Sequence, residues 1–157
     1  MLGLPAENET LVLPYTGEEA FQRIRRATRP LEPYLPLSVQ EEDFRFNGVV
    51  EGDEFRISRK ISRPNSFLPI ITGKVAPTSK GCIVFLSYRL FSSTLLFIGF
   101  WSVLTLLIAL YFFLYERLYS YGAIALAIGI ANYTIALLSF RKQVKISSWL
   151  IKQTLED

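Results

Sequence analysis

Histidine is absent from this 157-residue chain, and cysteine occurs once, as Cys82. Without histidine, no Ser-His-Asp triad, Cys-His dyad or His-ligated zinc site can be assembled within one copy. A single thiol excludes an internal disulfide framework and leaves Cys82 at most a bridge between chains. Charge is scarce and nearly balanced, with 17 Lys and Arg against 14 Asp and Glu. No recognition motif accompanies the mild basic excess, so nucleic acid is not an expected partner. What the chain has in plenty is apolar surface: half of its residues are hydrophobic and the mean hydropathy is +0.29. That excludes intrinsic disorder. The length fits one domain or two small lobes.

The apolar excess is concentrated. Residues 1–90 hold 12 Lys and Arg and 11 Asp and Glu, whereas between Leu90 and Phe140 the only charges are Glu116 and Arg117. An uncharged run of 25 residues (91–115) and another of 22 (119–140) flank that pair. A helix rises about 1.5 Å per residue, so about 20 residues cross a bilayer core. Each run is long enough, and a helix pairs every backbone polar group internally, as lipid requires. The pattern predicts a transmembrane hairpin over 91–140, turning at Glu116 and Arg117. Tyr111, Tyr115, Tyr119 and Tyr121 surround the turn, as expected at a water–lipid boundary. Arg89, Arg141, Lys142 and Lys145 flank the other ends. The positive-inside bias therefore puts both termini in the cytoplasm. The first residues lack the basic and apolar regions of a cleavable signal, which agrees with a cytoplasmic 1–90 segment.

That segment reads as an α+β lobe. Thr10 to Tyr15 is a strand candidate, with Pro14 marking an edge or strand end. Thr16 and Glu19 form a capping-box pattern opening a helix from about Gly17 to Thr28, with Phe21, Ile24 and Ala27 on one face. Pro30, Pro33 and Pro36 then imply an extended connector through Leu37. From Asp43 the apolar period becomes two, and turns at 51–53, 63–66 and 76–81 separate strands ending at Leu90. The expected architecture is an amphipathic helix on an antiparallel meander of about four to five strands (1–90), fused to the hairpin. A separate amphipathic helix over 141–157 follows, with Val144, Ser148, Ile151 and Leu155 along one stripe. It packs on the lobe or lies in the headgroups beside Trp149.

Few side chains carry chemistry. The acids Glu18 and Glu19, Glu41 to Asp43, and Asp53 and Glu54 sit at a helix start or in turns, where solvation explains them better than acid–base pairing. No metal or cofactor is expected. Candidate headgroup or partner contacts are Arg25, Arg26 and Arg29 beside Arg23 on the helix, together with Arg59 and Arg63. Arg59 falls on the apolar face of its strand, where it is either a snorkelling side chain or an anion contact. In the second apolar run, Ala125 and Gly129 permit close helix approach. Asn132 lies near mid-run, where an unpaired amide is costly in lipid. Either these three form the hairpin seam, with Asn132 bonded to Ser102 or Thr105, or they form a self-association face.

The stretch Arg63-Pro-Asn-Ser-Phe-Leu-Pro69, then Gly73-Lys74 and a strand entering an apolar hairpin, resembles small uncharacterised bacterial two-helix membrane proteins, cyanobacterial ones included. The resemblance covers about residues 44–115. It implies a bacterial inner-membrane or thylakoid setting and the same topology, and it brings no activity. A pleckstrin-homology-like lobe is a looser analogy.

Three functions follow as expectations. The first is a non-enzymatic anchored module that binds a headgroup or a membrane-protein partner, including as an accessory or assembly subunit. The second is an enzyme acting on a lipid-linked substrate through Arg59 or Arg63 and a carboxylate, marked by a deep pocket. The third is an oligomeric channel or transporter unit, for which the runs offer little polar lining.

Overall fold

Between Phe46 and Leu90 apolar and polar residues alternate, and burial alternates with them, as in a sheet packed on one face only. The computed structural model describes residues 6–30 and 44–156. The fold is α+β, with six strands and three helices among the described residues. Strands β3 (Phe46–Glu51), β4 (Glu54–Arg59), β5 (Pro69–Thr78) and β6 (Gly81–Leu90) form the expected antiparallel meander. Strand β1 (Ala6–Leu13) pairs antiparallel with β6, from Ala6 opposite Arg89 to Leu13 opposite Cys82. The three-residue β2 (Thr28–Pro30) runs parallel to β3, giving the order β1-β6-β5-β4-β3-β2.

The sheet has six strands rather than four to five, and it is not wholly antiparallel. Strand β1 starts earlier than Thr10 because Glu7 and Glu9, which break the apolar pattern, face inward with Leu11 and Leu13. Thr28 to Pro30, expected to open the proline connector, adds to the edge of the sheet, a position that tolerates Pro30's missing N–H. The rest of that connector (Pro33, Pro36 and Leu37) and the acids Glu41, Glu42 and Asp43 lie outside the described residues.

Helix α1 (Gly17–Ala27) buries Ala20 and Ile24 against the sheet. Its capping box is half formed. The Glu19 amide donates to the Thr16 hydroxyl at 3.4 Å, but the Glu19 carboxylate turns to Arg23 at 2.8 Å instead of reaching back. The Phe21 ring meets Phe55 edge-on, with centroids 6.3 Å apart. Gly73, opposite Phe55 in regular register, is where that ring crosses β5: a Cβ at Gly73 would stand 1.9 Å from the ring.

Helix α2 (Ser92–Leu114) follows β6 after one residue, and α3 (Tyr119–Glu156) returns beside it. Arg117, at φ 52°, turns the chain between them. Both helices are long and apolar enough to cross a membrane. Only 6% of the most apolar stretch of α2 is buried, and 17% of that of α3. Leu96, Phe97, Phe100, Ile130 and Ile135 are each more than half exposed. The core helix of a soluble domain would bury such residues.

The expected break at Arg141 is absent, because α3 continues for 38 residues as one helix, about 57 Å long at the usual rise. The fall in hydropathy at Arg141 changes what surrounds the side chains. It does not interrupt the backbone, since neither Gly nor Pro occurs between Ile130 and Glu156. The second half of α3 packs on the lobe. Phe140, Val144, Ile151 and Leu155 are buried in one cluster with Ile24, Phe55, Ile71, Leu86 and Tyr88. Trp149 points away and is 63% exposed.

Candidate functional site

Several part-buried polar side chains of the lobe meet α3. On its β1 flank, Glu9 accepts from the Tyr88 hydroxyl at 3.1 Å and from Ser148 Oγ at 2.6 Å, while its other oxygen pairs with Lys152. Burial alone would raise the Glu9 pKa. The hydrogen bonds from Lys152, Ser148 and Tyr88, with the Lys152 charge, outweigh it and hold the carboxyl below its ordinary value. Tyr88 shifts the other way, because it is buried and faces the Glu9 charge. Farther on, the Tyr15 hydroxyl and Arg23 Nη1 both donate to the Leu155 carbonyl, and the Arg23 guanidinium lies 4.5 Å from the centre of the Tyr15 ring. A cation there suits the negative end of the helix.

The β3–β4 flank is basic. Arg59 follows Phe55 and Ile57 on the inner face of β4, as the alternation predicts, and Arg59 Nη2 donates to Gln143 Oε1 at 2.6 Å. Arg59 Nε is buried without a hydrogen-bond partner, and so is the hydroxyl of Ser147, one turn beyond Gln143 on α3. Arg45 Nη1 donates to Thr154 Oγ1 at 3.2 Å, and the Arg45 carbonyl accepts from the Lys60 amide.

The other candidate arginines lie elsewhere. Arg25 and Arg26 are exposed on the last turn of α1, and Arg29 is half-buried on β2. Arg63 is exposed in the loop after β4. That loop is closed by Asn65, whose Oδ1 accepts from the Phe67 amide at 2.9 Å, and the Ser66 carbonyl accepts from Thr94 on α2 at 2.7 Å. An open groove beside α1 brings Glu18, Glu19, Arg23 and Arg26 together, but Glu19 and Arg23 are spent on each other. Among the described residues no three His, Cys, Asp or Glu side chains gather as a metal site would need. The buried Cys82 thiol is pushed up by desolvation, which keeps it protonated and unreactive.

In the hairpin, Ala125 is buried and Gly129 faces α2, where a Cβ would come 2.6 Å from Thr105 Oγ1. The Asn132 amide does not bond to the first apolar helix. Ser102 Oγ turns to the Ile98 carbonyl, and Thr105 Oγ1 to the Trp101 and Ser102 carbonyls. A hydroxyl in a helix finds its own i−4 carbonyl closer than a neighbouring helix. Asn132 is half-buried on α3.

Glu9, Arg45, Gln143 and Ser147 were not singled out from sequence. A signal existed for two of them: Glu9 shares its face with Leu11 and Leu13, and Ser147 lies in the stripe Phe140, Val144, Ile151.

No family model matches the chain, and no curated protein matches it in sequence. Among solved structures it is similar to a Polyketide_cyc-like protein from Corynebacterium glutamicum, at 9% identity over 94% of this chain and 95% of the other, with a TM-score of 0.34.

Because its folded pKa lies below the ordinary 4.5, Glu9 stabilises the lobe above that pH and loses this contribution as the pH falls toward the folded value. Thermal unfolding between neutral pH and pH 3 is expected to show a smaller acid-induced loss of stability for Glu9→Gln than for the wild type. An unchanged pH dependence would remove Glu9 from this role.

Proposed function

We propose that the chain is an integral protein of a bacterial inner or thylakoid membrane. In this reading α2 and the first half of α3 cross the bilayer as a hairpin, and the lobe and both termini lie on the cytoplasmic side. The observation that carries it is the exposure of α2, whose apolar side chains face outward except along its seam with α3. In water, so large an apolar surface would aggregate or seek a partner. Arg89, Arg141 and Lys142 are exposed where the hairpin meets the lobe, against Glu116 and Arg117 at the far turn, which supports the orientation. Alkaline carbonate extraction of membranes from expressing cells is expected to leave the full chain in the pellet. Release into the soluble fraction would contradict insertion.

The lobe acts as an anchored binding module for an anionic headgroup or a membrane-protein partner, and it does not catalyse. What supports this is that its inward titratable groups on the β1 flank are spent on one another, as Glu9 is on Lys152, Tyr88 and Ser148. The half-buried Asn132 favours a partner contact in the membrane as well, because a lone amide in lipid offers a donor and an acceptor to a second copy. Asn132→Leu is expected to weaken self-association in detergent about five- to thirty-fold by analytical ultracentrifugation. Equal association of variant and wild type would remove Asn132 from any such interface.

A further inference from the structure

We propose that the exposed cations at the root of the hairpin, Arg63, Arg89, Arg141, Lys142 and Lys145, form one docking surface for the anionic headgroups of a lipid leaflet. The inference rests on the anchored-module reading above and names its partner. Acids are missing where these cations stand. From Phe55 to Leu155 the sequence holds twelve Lys and Arg and one acid, Glu116, at the far turn of the hairpin. A solvated protein surface ordinarily intersperses both signs. Here a carboxylate has to come from the first 54 residues or the last two, and few are at hand. Glu9 goes to Lys152 and Glu54 to Lys74. Glu7 stands 4.0 Å from Arg141 Nε, with both side chains open to solvent, where such a pair is weak. Arg63, Arg89, Lys142 and Lys145 pair with no carboxylate among the described residues.

The fold brings these cations from three elements to one level. Arg89 is the last residue but one of β6, and α2 begins after Phe91. Arg63 lies in the loop whose Ser66 carbonyl accepts from Thr94, in the first turn of α2. Arg141 and Lys142 follow Phe140, where the second apolar run ends. The approach of Arg141 to Glu7 sets them beside the end of β6, because Glu7 lies opposite Tyr88. Lys145 is one turn farther along α3, and all five side chains are exposed, so a headgroup reaches each without rearrangement. The depth also fits. Headgroups extend roughly 5–7 Å beyond the hydrocarbon on each side, and Lys145 stands about 7.5 Å past Phe140 along the helix. With the hairpin in lipid, the anions that meet this surface are therefore lipid phosphates, and cations of one sign at that level favour a negatively charged leaflet.

The test uses the full chain carrying Trp149→Phe, so that Trp101, exposed on α2, is the only indole. This parent protein is reconstituted in bilayers of phosphatidylcholine and phosphatidylglycerol, one or the other with brominated chains. Quenching of Trp101 then reads the relative association of the two lipids. At low salt phosphatidylglycerol is expected to be favoured at least about twofold, and the ratio to fall toward one at about 0.5 M salt. Arg141→Gln with Lys142→Gln is expected to remove most of that preference. Lys74→Gln with Lys80→Gln removes the same charge from the part of the β5–β6 hairpin remote from α2, and is expected to keep it. Equal association of both lipids with the parent protein would overturn the docking surface and leave these cations to an acidic face of a protein partner. So would a preference that survives Arg141→Gln with Lys142→Gln, or one lost equally in the Lys74 and Lys80 variant, since net charge rather than position would then set it. Absence of quenching by either lipid would overturn the anchored reading, and this surface with it.

Discussion

The backbone of α3 is the constraint on which the rest of this structure depends. One helix supplies half of the apolar hairpin and then, without interruption, the stripe that completes the core of the lobe. A sheet of six strands with one packed face needs a second layer, and the 11 residues of α1 cover only part of it. Phe140, Val144, Ile151 and Leu155 supply the remainder. Removing α3 from the sheet would expose Ile71, Leu86 and Tyr88 together, so lobe and hairpin are not independent modules joined by a linker. The sheet and the hairpin also meet at β6, whose last residue is separated from α2 by Phe91 alone.

That arrangement explains where the polar side chains go. Two flanks of the same helix face two sides of the sheet, and each carries a polar node. On the β1 flank Glu9 is fully engaged, with donors from β6 and α3 and a cation from Lys152, so this node fastens the edge strand to the helix. On the opposite flank Arg59 and Ser147 keep unused hydrogen-bonding capacity beside Gln143. Capping of the Leu155 carbonyl by Tyr15 and Arg23 ties the end of α3 to α1 and to the turn that leads into it. The node around Glu9 is saturated, whereas the one beside Gln143 is not. A chain without histidine and with one buried thiol has little other chemistry to offer.

Much of this was legible in the residues, for physical reasons that also mark where legibility ended. The meander from Phe46 to Leu90 shows because a sheet packed on one face writes its burial as a period of two. Helix α1 shows because Thr16 and the Phe21–Ile24 spacing mark its start and its face, and the apolar lengths of the hairpin are plain from charge alone. Strand β1 was cut short because Glu7 and Glu9 look like solvent-facing acids until Tyr88 and Ser148 are placed beside Glu9. The three residues of β2 carry no pattern of their own, since a parallel edge pairing depends on where β3 lies. Arg141 to Gln143 read as a boundary because hydropathy reports the surroundings of a helix rather than its hydrogen bonds. The position of Arg59 on the apolar face was evident from alternation. Its unmet Nε was not, because that depends on α3 arriving from more than 80 residues away.

Continuity of α3 through the segment where its surroundings change is the claim to measure. Hydrogen exchange of the full chain in a lipid bilayer reads it amide by amide. The account predicts that the amides from Phe140 to Lys145 exchange as slowly as those of the helical turns on either side. Fast exchange confined to that segment would show two helices joined by a hinge and would contradict it.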